Sequence, residues 1–228
     1  MKRLFPGISL LLLTALAQAE PGRLLSQETA AVVASEVSLD LDYNGAPQSV
    51  GLAAGLRIGA FGGEVLLNAK PPTMLDGSGL VSSNLGYKRI VMPRLAAYGI
   101  VAYDNPENAS STFDVAVGAA YTLTYRDVLL NLNAEVVTDQ DGRNNRGDRT
   151  TAFIKGGAGY PIETGAGRVT LIMELIAESN SALDPVLNLG ARWQPRRNIA
   201  VDFVVLNERG DNGSHSGLPG AVRLNIGF

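Results

Sequence analysis

The strongest constraint on this chain is a period of two. Phe113, Val115, Val117, Ala119, Tyr121, Leu123 and Tyr125 take seven successive odd positions, with Asp114, Ala116, Gly118, Ala120, Thr122 and Thr124 between them. Neighbouring side chains on a strand point to opposite faces, so one face of this segment is oily and the other small or polar. After Arg126 and Asp127 the alternation resumes, with Val128, Leu130, Leu132, Ala134 and Val136 on one side and Asn131, Asn133 and Glu135 on the other. Two residues between two such runs make a tight hairpin.

The same pattern predicts further strands near 33–43, 50–60, 64–69, 80–90, 95–103, 151–160, 169–178, 186–193, 199–206 and 221–228, twelve in all. Their connections alternate in character. Those at 61–63, 91–94, 126–127, 161–168 and 194–198 are mostly short. Those at 70–79, 104–111, 138–150 and 207–220 are longer and hold turn formers such as Pro71-Pro72 and Gly210-Asp211-Asn212-Gly213. Short turns at one end and long polar loops at the other are the plan of an outer-membrane barrel. The fold expected is therefore all-β, a closed antiparallel up-and-down transmembrane β-barrel of about 12 strands. Strand 64–69 falls short of the roughly nine to eleven residues of a tilted span, which leaves ten strands as the alternative. The stretch 161–168 is long for a turn at the short end.

A soluble β-sandwich or barrel would also alternate, with its oily face turned inward and Lys, Glu, Arg and Asp outside. Here the polar face is thin. In 50–59, Val50, Leu52, Ala54, Leu56 and Ile58 alternate with Gly51, Ala53, Gly55, Arg57 and Gly59. Aromatics gather at run ends, with Tyr43, Tyr103 and Phe113 toward one rim and Tyr125, Tyr160, Trp193 and Phe228 toward the other, as interfacial girdles require. Only 18% of the residues are charged against 46% apolar, so the membrane barrel is the better account of the composition. Past the N-terminus there is no apolar run of about eighteen residues, which excludes a helical membrane protein. A net charge of −3 and the lack of a basic stripe argue against nucleic acid as a partner.

Lys2 and Arg3 precede an apolar stretch, Ile8 to Ala17, that ends in Ala17-Gln18-Ala19 before Glu20 and Pro21. This is the pattern of a cleavable secretory signal peptide, giving residues 1–19 as signal and 20–228 as the barrel domain. The chain holds no cysteine, so disulfides, thiolate chemistry and an N-terminal lipidated cysteine are excluded. Arg23 to Ala34 mix Leu24, Leu25, Ala30, Ala31 and Val32 at spacings that suit a short helix or a strand, as a periplasmic or lumen-plugging segment.

At the C-terminus Val222, Leu224, Ile226 and Phe228 alternate with Arg223, Asn225 and Gly227. This resembles the last strand of Gram-negative outer-membrane β-barrel proteins. The resemblance implies a place in the bacterial outer membrane, with membrane lipids as surroundings. It also implies an assembly signal at Val222, Leu224, Ile226 and Phe228 that the barrel-assembly machinery reads. Asn188 to Trp193 followed by Asn198 to Asp202 is similar to the closing hairpin of small barrels of the YfaZ-like kind and of transporters linked with phenol degradation.

Function then lies on the inner face. Its ionisable members are Asp40, Asp42, Arg57, Glu64, Lys88, Asp114, Glu135, Lys155, Glu174, Glu178, Arg192, Asp202 and Arg223, alongside Asn68, Asn84, Asn131, Asn133, Asn188 and Asn225. Eight are acidic and five basic. Unpaired charges in a narrow interior are costly, so many should pair across the barrel. One expectation is a narrow channel or transporter for small solutes, lined by an acidic excess. The other is a structural or surface-adhesion barrel with a plugged lumen.

Chemistry of other kinds finds little footing. The one histidine, His215, sits in Asn212-Gly213-Ser214-His215-Ser216-Gly217, a run of small residues ill suited to fixing a triad, so no catalytic site is expected. Asp139-Gln140-Asp141-Gly142 has its glycine at the fourth place and no glutamate at the twelfth, unlike a calcium loop. Arg146-Gly147-Asp148 matches a common adhesion tripeptide by composition alone. Gly157-Ala158-Gly159 and Gly165-Ala166-Gly167 lack the strand-to-helix setting of a phosphate cradle. No metal and no cofactor are expected.

Overall fold

A computed structural model of the chain describes residues 23–33, 35–45, 48–70, 81–105, 111–139, 149–179, 185–205 and 220–227. The strands are β1 (Ser35–Gly45), β2 (Gln48–Ala60), β3 (Gly63–Lys70), β4 (Val81–Met92), β5 (Leu95–Asn105) and β6 (Thr112–Tyr125). They continue as β7 (Val128–Asp139), β8 (Arg149–Thr164), β9 (Gly167–Glu178), β10 (Val186–Arg196), β11 (Ile199–Val205) and β12 (Gly220–Gly227). Each pairs antiparallel with its neighbours in sequence, and β1 pairs with β12 from Glu36↔Gly227 to Tyr43↔Gly220, closing the barrel. Closure leaves no unpaired edge, the condition for a sheet in a solvent that cannot hydrogen-bond.

The turns at 61–62, 93–94, 126–127, 165–166 and 197–198 all lie at one end. Arg126 and Asp127 take φ of 48° and 69°, and Phe61 and Gly62 take 53° and 73°. Two consecutive positive φ values mark the turn whose twist matches its flanking strands. The ten-strand alternative fails, because β3 runs over 8 residues and pairs with both β2 and β4. The stretch 161–168 is mostly strand. Pairing continues through Pro161↔Thr170, Ile162↔Val169 and Glu163↔Arg168 to a turn at 165–166. Thr164 Oγ1 donates to Gly167 O at 2.6 Å and Arg168 bonds Glu163 at 2.7 Å, fixing that turn.

The oily face points outward. Leu85, Val117, Leu132, Ile154, Leu171, Met173, Leu189 and Phe203 are exposed, Leu132 by 54%. Their sequence neighbours Asn131, Asn133, Glu174, Asn188 and Asp202 are buried inside. This inverts a soluble barrel and matches a lipid-facing one. Phe113, Tyr125, Tyr160 and Trp193 are exposed near the strand ends; Trp193 Nε1 donates to Ala166 O and Tyr87 Oη to Phe61 O, so polar tips bond at the short-turn rim. The predicted signal segment 1–19, His215, Arg146-Gly147-Asp148, Gln140 to Gly142 and Phe228 lie outside the described residues. The side chains of Asp40, Asp42 and Tyr43 lie outside the description as well.

Candidate functional site

Residues 23–33 form neither helix nor strand. They lie inside the barrel as a bent segment, with an isolated bridge Arg23↔Glu28 and a bond from Leu24 N–H to Gln27 O at 2.9 Å. Leu24 and Leu25, each 1% exposed, pack with Ile172, Val204 and Ala221 into an apolar cluster. The wall opposite is thinned for them: a Cβ on Gly157 would stand 2.5 Å from Leu24, and one on Gly190 2.8 Å from Leu25. The segment sits toward the short-turn end. The side chains that grip it belong to Glu64, two residues past the Phe61-Gly62 turn, Asn131, four past Arg126-Asp127, and their counterparts around the ring.

Its buried backbone must be paired, and the wall supplies the partners. Glu174 on β9 accepts the N–H groups of Leu25, Ser26 and Gln27 at 2.9 to 3.2 Å and the Ser26 hydroxyl at 2.5 Å. Arg192 on β10 donates to Arg23 O and Leu24 O, and Arg223 on β12 donates to Leu25 O at 2.8 Å. Asn131 Nδ2 donates to Glu28 O, Thr122 Oγ1 accepts Ala30 N–H, and Glu64 accepts Val33 N–H. Asp202 holds Arg192 as a fork, at 2.6 and 2.9 Å, and receives Asn225 Nδ2. Carboxylate and guanidinium thus answer N–H and C=O respectively, the strong charge-assisted kind of bond.

Farther along, the segment is held by its own charge. Arg57 forks onto Glu28 at 2.6 and 3.0 Å, and Lys88 Nζ reaches Glu28 at 2.8 Å. Glu64 balances the same two cations, at 2.7 Å from Arg57 and 3.3 Å from Lys88, with Glu36 at 3.9 Å from Arg57 Nε. Lys88 and Glu64 are both 0% exposed, and each buried charge has an opposite charge at close range. Burial pushes the Glu28 carboxyl up, but the Arg57 guanidinium and then Lys88 outweigh it and bring the group down to about 2.

Beyond the segment, Glu135 on β7 accepts from Tyr98 Oη at 2.8 Å and pairs with Lys155 at 2.7 Å, whose ammonium lies 5.4 Å from the Phe153 ring. Asp114 is half-buried on β6 opposite Ala102, and Glu178 is exposed at the long-loop end of β9. Asp40 and Asp42 fall in register with Arg223 and Ala221. Val222, Leu224 and Ile226 lie exposed on the outer face. The inward set read from alternation thus includes the gripping residues Arg57, Glu64, Lys88, Asn131, Glu174, Arg192 and Arg223. It omits Tyr98 and Thr122, which share the inner parity but are not obligatory charges, and Ser26, Gln27 and Glu28, whose segment has no periodic signal. Among the described residues no three metal-ligating side chains gather.

No protein-family model matches the chain, and no curated protein matches it. Solved structures do. The NanC porin in its rhombohedral crystal form is 10% identical with a TM-score of 0.54, over 84% of this chain and 98% of that one. The KdgM porin in complex with disordered oligogalacturonate is 12% identical with a TM-score of 0.55, over 85% and 99%. A bacterial polysaccharide outer membrane secretin is 10% identical with a TM-score of 0.54, over 86% and 98%. At such identities the likeness is one of fold: this chain shares the barrel architecture of outer-membrane porins.

Proposed function

We propose that this chain is a bacterial outer-membrane channel for small solutes, closed at its short-turn end by residues 23–33. The observation that supports it is a closed barrel with an apolar exterior and an ionised, polar interior, the division of surface that a lipid-embedded aqueous passage needs. A barrel of twelve strands is wider than the eight-stranded kind that side chains fill. The interior charges Asp40, Asp42, Arg57, Glu64, Lys88, Asp114, Glu135, Lys155, Glu174, Glu178, Arg192, Asp202 and Arg223 line that passage in this reading. In the same reading residues 1–19 are a cleaved export signal, and Val222, Leu224, Ile226 and Phe228 are the strand end that the assembly machinery reads. Kinship with YfaZ-like barrels rests on hairpin 188–202 alone. No catalysis is assigned.

The porins named above bear the fold, and the KdgM structure holds an oligogalacturonate; these similarities favour a solute channel. The gripped segment favours a second reading, a structural or adhesion barrel that stays shut. Planar-bilayer recordings separate them. The full chain is expected to give rare, small openings, and a chain lacking residues 23–33 steady conductance at least about ten times larger. A deletion that folds and inserts yet stays silent would reject the channel.

A further inference from the structure

A buried segment needs its polar groups satisfied, but it can satisfy them in several ways. Helices and hairpins do so internally. Residues 23–33 instead hand them to side chains projecting from six strands: Glu64, Thr122, Asn131, Glu174, Arg192 and Arg223. Those groups read main chain, five N–H groups and four C=O groups: the carbonyls of residues 23–25 and 28, and the N–H groups of residues 25–27, 30 and 33. To them the wall adds glycine-floored places for two adjacent apolar side chains and a fork of Arg57 with Lys88 for one carboxylate. Carboxylates for N–H and guanidinium for C=O make a wall that complements amide backbone. A sugar would present hydroxyls, and an inorganic anion would use the cations and leave Glu174 facing nothing.

We propose that the wall gripping residues 23–33 is a binding site for short acidic peptides, filled in the resting chain by its own segment. The proposal deepens the channel reading and rests on it, since it names the solute class that the channel would admit. A free peptide with two apolar residues, then small or amide residues, then an acidic one competes with the tethered copy. The tether gives that copy an effective concentration of about 1 mM or more, so the site stays shut until peptide accumulates or the internal carboxylate is weakened.

The test uses the full chain in detergent. It has no cysteine, so Ala31→Cys gives a single thiol for a fluorophore whose iodide quenching reports expulsion of the segment. Glu28→Gln is added to weaken the internal copy without shortening it. A synthetic peptide of residues 23–33 should raise quenching at a half-maximal concentration at least about ten times lower than the same peptide with Gln in place of its Glu. A scrambled peptide should do nothing up to about 10 mM. Adding Arg57→Gln should erase the Glu-over-Gln preference, and Lys88→Gln serves where that chain does not fold, as judged by heat-shifted gel migration. Equal potency of the peptide, its scramble and succinate would overturn the proposal, because the wall would then read charge alone. No response to any peptide would overturn it as well. Quenching is independent of current. A silent deletion chain whose labelled parent answers peptide rejects the channel and keeps the peptide site, whereas a conducting deletion whose parent ignores peptide does the reverse.

Discussion

Two parts of the gripped segment, residues 23–27 and residue 28, are held by different chemistry. At residues 23–27 the wall grips main chain: Glu174 takes three consecutive N–H groups, and Arg192 and Arg223 take the carbonyls. At residue 28 it grips a side chain, the Glu28 carboxylate between Arg57 and Lys88. Almost any residue supplies the first kind of contact, and only an acid supplies the second. The backbone clamp therefore fixes where the segment lies, and the Glu28 clamp makes its retention depend on one ionisable group. Each can be broken separately.

The largest effect is expected from Glu174→Ala, which strands three N–H groups at once, those of Leu25 and Gln27 buried and that of Ser26 partly so. Each buried donor left unsatisfied costs about 1–3 kcal/mol. Hydrogen exchange at the amides of residues 25–27 should speed up by about two to three orders of magnitude, while the strands stay protected. Unchanged exchange there would mean that the backbone clamp does not hold the segment.

Glu28→Gln comes next. Losing a hydrogen-bonded charge while Glu64 remains to balance the cations should weaken retention by about 1.5–3 kcal/mol, read as faster thiol labelling at Ala31→Cys. The same group gives a pH signature. Its carboxyl lies at about 2 when bound, below the ordinary 4.5, so its contribution is fully present above pH 4.5 and drains away as pH falls toward 2. Iodide quenching of a fluorophore on Ala31→Cys in the parent should rise as pH falls through that window and converge on the Glu28→Gln level at its acid end. Parallel profiles for the two chains would show that Glu28 is not the sensor.

Smaller changes sharpen the contrast. Thr122→Val removes the acceptor of Ala30 N–H and the donor to Asn131 Oδ1, worth about 1–2 kcal/mol, and should loosen residues 29–31 more than 24–26. Ser26→Ala deletes only the hydroxyl on Glu174, whose three N–H bonds remain, for a loss of about 0.5–1.5 kcal/mol. If Ser26→Ala matched Glu174→Ala, the hydroxyl and not the main chain would be the recognised group.

Strand number, the sense of each face and the turn at Arg126-Asp127 were legible because each depends on residues close in sequence. A period of two needs no partner to be visible, and two residues between alternating runs leave no room for anything but a hairpin. The stretch 161–168 read as long for a turn for the same reason: only the neighbouring β9 reveals that the strand continues through it to Glu163↔Arg168. Arg57, Lys88, Glu174 and Arg192 were readable as inward charges by parity, but what they bind was not.

The sequence alone thus determined an alternating sheet with an oily side, a polar side and hairpins short at one end, since those follow from backbone geometry within a few residues. Only the tertiary structure decided what fills the centre of the closed sheet and what its inward charges bind. Glu174 lies 148 positions from Ser26, and Arg223 198 positions from Leu25. No local pattern can encode pairings of that reach. They arise because closing the barrel leaves ionised side chains in a confined interior, where a polar partner must be found, and residues 23–33, which form no strand, supply it.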